Sequence, residues 1–235
     1  MNFTIEAPKR KTIVMVFDVE TSGLLPKKDK SNPLPLSIDS YPHILQLSYA
    51  LYNISTNKLI ETYDTYIKVK RDVEISEKIT ELTGATRAKC NNGTFIIDAL
   101  HKFYEAYMKA EIIVAHNNVF DKKLIEIEIE RNREQIIKRA PACMTIFNPT
   151  YEEIHNIEHY CTMRKGTTIT NIVLVSKIAG RPPSLKWPNL LELYKKLFDN
   201  ESVDGLHNSM VDVLVCLRCY MKMRHNYDCG LITNK

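Results

Sequence analysis

A chain of 235 residues with 44 % hydrophobic content can fill one large α/β domain or two small ones, which excludes disorder as the default state. No uncharged apolar run approaches about eighteen residues, and the start, MNFTIEAPKRKTIVMVFD, lacks an apolar stretch behind a basic leader, so an intracellular, non-secreted chain with no membrane span is expected. The net charge of +4 is too weak to identify a nucleic-acid binder, although it would not repel a polyanion.

TIVMVF (12–17) is a short β-branched apolar run that ends in polar residues, the pattern of a buried strand leaving a sheet. HILQLSYALYN (43–53) and KLIETYDTYIKV (58–69) are strand-like with a turn at STN between them, so the first three strands form an antiparallel meander. The Pro-, Ser- and Lys-rich stretch of residues 25–40 reads as a loop insertion emerging beside Asp18 and Glu20. A short helix over 75–86 starts at Ser76 and stops at Gly84. An amphipathic helix over 94–109 gathers Phe95, Ala99, Phe103 and Ala106 on one face. EIIVAHN (111–117) is another strand, and the sequence after it reads as a helix capped by Asn118, even though LIEIEIE (124–130) alternates with the period of a strand. Residues 132–184 are broken by proline and glycine and support no assignment. Helices return at 189–198 and 209–223, and Trp187 is expected to anchor the first of them. One α/β domain over residues 1–235 follows, with a mixed central sheet flanked by helices.

Six scattered cysteines with no export signal favour reduced thiols, and hence the cytoplasm or nucleus. Cys216, Cys219, His225 and Cys229 have a zinc-knuckle-like spacing. Cys216 and Cys219 nevertheless fall inside an apolar helical pattern, where free cysteine behaves as a small hydrophobe.

The chemistry resides in three segments. Asp18 and Glu20 are two residues apart on a strand and so point the same way. Two adjacent carboxylates disfavour each other's ionisation unless a cation or a shared proton compensates. His116, Asn117 and Asn118 end the 111–117 strand, with Asp121 in the first turn of the next helix. His207 precedes Asp212 by five residues, about 140° of helical rotation, so His207 is expected in the loop, with Asn208 or Ser209 as N-cap and Asp212 in the first turns.

These segments resemble the motifs of the DEDDh 3′-to-5′ exonucleases, a family that includes polymerase proofreading subunits. D-x-E-T-x-G-L stands as Asp18 to Leu24, H-N-x-x-F-D as His116 to Asp121, and H-x-A-x-x-D as His207 to Asp212, with Ser209 in place of alanine. The resemblance implies an RNase H-like fold and hydrolysis at nucleic acid 3′ ends with release of nucleoside 5′-monophosphates. It implies two Mg²⁺ or Mn²⁺ ions, with Asp18, Glu20 and Asp212 holding the first and Asp18 and Asp121 serving the second. His207 would be the general base. Thr21, Leu24 and Asn117 would meet the terminal nucleotide, Leu24 as a wedge against its base, and Phe120 would pack beneath the site. DNA is the expected substrate. RNA remains an alternative, because the metals contact phosphate and carry no sugar information, and so does a non-catalytic module that binds nucleic acid or a polymerase. A polymerase or a second copy of the chain remains an open partner.

Overall fold

The computed structural model of the chain describes residues 11–27, 36–175 and 182–231. β1 (Ile13–Thr21), β2 (Ile44–Asn53) and β3 (Lys58–Tyr66) form the expected antiparallel meander. Two short helices follow, α1 (Glu77–Thr83) and α2 (Arg87–Asn91). The Ser76 hydroxyl caps α1 by accepting from the Ile79 N–H, and Gly84 ends it at φ +68°, a conformation that a Cβ would strain. α3 (Ile96–Tyr107) leads into β4 (Ile112–Ala115), which pairs in parallel with β1, and α4 (Asn118–Arg131) follows. The stretch that resisted reading contains α5 (Arg133–Arg139), α6 (Pro149–Ile154), β5 (Glu158–Cys161) and α7 (Thr162–Thr170), and a small ribbon of β6 (Val173–Leu174) with β7 (Ser184–Leu185). α8 (Leu190–Leu197) and α9 (Ser209–His225) close the described chain. The central sheet runs β3-β2-β1-β4-β5, and no helix among the described residues is long and apolar enough to cross a membrane.

The pleat of β1 divides the interior. Met15, Phe17 and Val19 face a core with Ala99, Phe103 and Ala106 of α3, whereas Val14 and Val16 face Val213, Leu217 and Tyr220 of α9. Asp18 and Glu20 continue the α9 side of that alternation where the strand runs out of the core. β1, β4 and β5 are mutually parallel, so their carboxyl ends share one edge of the sheet, from which α4 and α7 depart.

Three expectations need correction. The α4 cap is Asn117, in the left-handed region at φ +71°, and Asn118 is the first helical residue. Phe95 precedes α3 and is exposed, so the apolar face of that helix rests on Ala99, Phe103 and Ala106 without it. Trp187 is 59 % exposed rather than buried under α8. The period-two pattern at 124–130 also has a physical source. Glu128 is buried beside Leu124 and Ile125, ion-paired to Arg131 and 3.4 Å from His43, so the helix is enclosed on nearly every side and shows little polar-apolar contrast. Of the expected loop at 25–40, residues 28–35 lie outside the described residues.

α9 is fastened near its middle by Arg218, only 3 % exposed, whose guanidinium meets Glu201 at 2.9 Å and Asp228 at 2.7 Å, donates to the Tyr194 hydroxyl and lies 4.1 Å over the Phe198 ring. Arg218→Met keeps the aliphatic bulk but removes these charge-assisted bonds, and should lower stability by about 2 kcal/mol, read as a shift in the urea midpoint.

Candidate active site

Asp18 and Glu20 lie on β1 opposite Ser48 and Gln46 of β2. The N-terminus of α9 is seated on this pair of strands by bonds that sequence reasoning did not find. The Ser209 hydroxyl donates to the Asp18 carbonyl at 2.8 Å, and the Ser209 N–H donates to Gln46 Oε1 at 3.4 Å. Gln46 Nε2 and the Ser48 hydroxyl both donate to Asp64 Oδ1 of β3, at 2.8 and 2.7 Å. Ser209 is fully buried and fits closely between helix and sheet, so its departure from the motif's alanine adds a bond rather than a clash. Only the polar residues alternating through β2 hinted at this support.

Asn208 caps α9, its side-chain oxygen accepting from the Met210 and Val211 N–H groups. His207 sits just before it at φ +67°, exposed, and its backbone N–H points at both Asp212 oxygens at 3.3 Å. Loop and first turn thereby bring Glu20, His207 and Asp212 together, with one potential ligand atom from each within 4.8 Å of the others. Asp121 enters from the first turn of α4, buried, beside the backbone amide of Val19.

The electrostatics are those of crowded, desolvated carboxyls. Burial first, and then Asp212, raise the Asp18 pKa, partly offset by the Ser209 hydroxyl. Burial with Asp18 and Asp212 pushes Glu20 up to about 9. Burial raises Asp212, opposed by the His207 amide, and burial with Asp18 raises Asp121. Oδ2 of Asp18 and Oδ2 of Asp121 are buried with no hydrogen-bond partner among the described residues. Hard, oxygen-only donors that repel one another and include unsatisfied buried atoms fit a divalent cation of the Mg²⁺ or Mn²⁺ kind.

The other motif residues surround this centre. The Thr21 hydroxyl donates to the Gly23 carbonyl at 2.6 Å and tightens the exit from β1. Leu24 is 85 % exposed, so core packing is not its role, and it borders a groove of about 780 Å³ lined by Gly23, Tyr41, His43, Lys68 and Arg131 among others. Asn117 is half-buried at the head of α4. Phe120 packs at the edge of the core. His116 is a tie between elements: its Nδ1 lies 3.0 Å from the Thr162 hydroxyl and its Nε2 3.1 Å from the Pro188 carbonyl, and burial lowers its pKa to about 4, which keeps the ring neutral. Cys216 and Cys219 are buried in α9, with Cys216 Sγ 3.4 Å from the Thr162 hydroxyl.

Residues 15–220 match the model of the exonuclease family RNase_T. Among curated proteins, the chain is 30 % identical over 203 residues to a DNA polymerase III PolC-type of Lactococcus lactis (80 % of this chain, 11 % of that one). It is 28 % identical over 142 residues to one of Caldanaerobacter subterraneus (60 % and 9 %), so it spans about a tenth of those relatives' length. Among solved structures, it resembles the nuclease domain of 3′hExo, a DEDDh family member bound to rAMP (14 % identity, TM-score 0.59, 97 % of this chain and 99 % of that one). It also resembles E. coli Exonuclease I in complex with a dA16 oligonucleotide (16 %, 0.58, 92 % and 42 %). At these identities the solved structures establish the fold, which is RNase H-like. With the family model covering most of the chain and the three carboxylate-bearing segments meeting at one sheet edge, the protein belongs to the RNase_T exonuclease family.

Proposed function

We propose that the protein removes nucleoside 5′-monophosphates one at a time from single-stranded or frayed DNA 3′ ends by a two-metal mechanism, with residues 1–235 acting as one exonuclease domain. The observation that carries this reading is the gathering of Asp18, Glu20, Asp121 and Asp212, with unsatisfied buried oxygens, beside the exposed imidazole of His207. Asp18, Glu20 and Asp212 would hold one Mg²⁺ or Mn²⁺ ion, and Asp18 would share a second with Asp121. Ions so bound neutralise phosphate charge and ease deprotonation of water. His207 accepts the proton of the attacking water, whose oxygen bonds to phosphorus as the bond to the penultimate O3′ breaks. The products are the terminal nucleoside 5′-monophosphate and a strand shorter by one nucleotide that ends in a 3′-hydroxyl. Leu24, exposed at the mouth of the groove, wedges against the terminal base, while Thr21 and Asn117 line its position. The matched relatives are DNA polymerases, which supports DNA over RNA as the substrate and a polymerase as the partner.

Digestion of 3′-labelled single-stranded DNA, duplex DNA with a mismatched end, and RNA, side by side with Mg²⁺ or Mn²⁺, tests the proposal. Single-stranded and mismatched DNA should be shortened fastest, and failure to cut any of them would leave a binding module. Asp18→Ala and Asp212→Ala should abolish release while the proteins remain folded by circular dichroism. His207→Ala should lower kcat about 10²- to 10⁴-fold with little change in KM.

The crowded carboxyls make stability depend on pH and metal together. Their folded pKa values are raised above the unfolded ones, so nothing is lost where both states are protonated, below about pH 4. As pH rises from there toward about 9, the value for Glu20, the unfolded chain ionises first and folding weakens. In chelator, Tm should therefore be lower at about pH 8.5 than at about pH 6, and Mg²⁺ should raise it more at the higher pH. Asp18→Asn in chelator should melt above wild type at about pH 8.5 and respond less to Mg²⁺.

A further inference from the structure

Beyond the carboxylate centre, the described surface holds a second feature with the chemistry of a nucleic-acid contact. Trp187 is 59 % exposed, and the Arg164 guanidinium lies 5.8 Å from its ring centroid. Arg164 is itself exposed and has no carboxylate within salt-bridge distance among the described residues, whereas the neighbouring Lys186 is engaged by Glu192 at 2.5 Å. Trp187 also stands beside the apolar ribbon of β6 and β7, whose Val173, Leu174 and Leu185 are exposed. An exposed indole offers a face on which a base can stack, and a guanidinium beside it with no carboxylate partner is suited to a phosphate.

The place of this pair in the fold ties it to the active site. Pro188, next in the chain to Trp187, gives its carbonyl to His116 Nε2, and His116 Nδ1 meets Thr162 at the start of α7, two residues before Arg164. His116 in turn leaves β4, the strand that pairs in parallel with β1 at Val114 and Val16. Gly166 sets α7 against α8 so closely that a Cβ there would come within 2.7 Å of Leu193, which fixes the helix bearing Arg164 against the segment bearing Trp187. The pair therefore flanks the same sheet edge as Asp18, on the β5 side, while Leu24 and its groove lie across β1 on the β2 side.

Charge identifies the partner. Arg164 and Lys165 are both exposed, and between Glu158 and Glu192 the sequence carries no acidic residue; Lys186 of that stretch is paired with Glu192, and Lys177 and Arg181 lie outside the described residues. An apolar protein partner would not require that bias, but a polyanion with aromatic faces does.

We propose that Trp187 and Arg164 form a stacking platform for single-stranded substrate upstream of its 3′ end: a base lies on the indole and the adjoining phosphate meets the guanidinium. The platform rests on the exonuclease reading for its substrate and extends the binding surface away from the scissile bond. It makes affinity depend on strand length, because a mononucleotide at the carboxylates does not reach it.

Trp187 is the chain's single tryptophan, so its emission reports this position alone. Titrating the Asp18→Ala protein with oligo-dT of about 12 nucleotides should quench that emission, less so as salt rises, and dTMP should leave it unchanged. Trp187→Ala should raise KM for the same strand about 5-fold or more, with Trp187→Phe recovering most of the loss and Arg164→Glu weakening binding further. Binding of a labelled strand seen by anisotropy with no change in tryptophan emission, together with a wild-type KM in Trp187→Ala, would overturn the platform and leave the apolar face to a protein partner. Wild-type protein that binds and cuts no strand at all would overturn the exonuclease reading itself, a distinct result.

Discussion

Four carboxyl groups held at one partly buried edge of a sheet repel one another and lose hydration, and the surrounding structure is arranged to hold them there regardless. β1 is held between β2 and β4 up to Val16 and by β2 alone at Asp18 and Glu20, so the carboxylates stand where the strand runs past β4. The Ser209 hydroxyl and amide clamp the head of α9 to the Asp18 carbonyl and to Gln46, and Gln46 is itself fixed by Asp64. Asp121 and Asp212 each stand in the first turn of a helix, where the positive end of the helix dipole favours a carboxylate. Asp18 and Asp121, which interact electrostatically, each keep one buried oxygen without a hydrogen-bond partner, and a divalent cation is the simplest group that relieves them.

The layout of the sheet separates two tasks. The parallel strands β1, β4 and β5 end at a common edge, with carboxylates on β1 and just after β4 and the supporting Thr162 just after β5. His116, although it opens the second motif, is neutral and bound between Thr162 and Pro188, so it joins the carboxylate edge to α7 and to the approach to α8. Surfaces on either side of the carboxylates then differ in kind. One is the polar groove at Leu24, and the other is the exposed, cation-bearing indole at Trp187.

Much of this was legible in the sequence because the signals were local. The antiparallel meander followed from two alternating runs and a turn, and α1 from a capping serine and a terminating glycine whose side chain and backbone act within a few residues. The loop position of His207 followed from the angle that five helical residues would impose. The illegible parts depend on distant partners. The strand-like alternation in α4, read as a helix nonetheless, arises because Glu128 is turned inward to His43 as well as to Arg131, and the described part of residues 132–184 folds as short helices, a short edge strand and a small ribbon, each too brief to show a period.

The sequence by itself determined the two carboxylates on one face of β1, the acid in the first turn of each following helix, and the family to which the motifs belong, because these rest on spacing and on side-chain type. Only the tertiary structure decided that Ser209 fastens α9 to the Asp18 carbonyl, that Gln46 and Asp64 stand behind it, that Leu24 is exposed, and that Trp187 stands in solvent against Arg164. Those facts join residues tens to nearly two hundred positions apart. No local pattern encodes such pairings, and they exist only once the sheet has fixed which ends of which elements lie side by side.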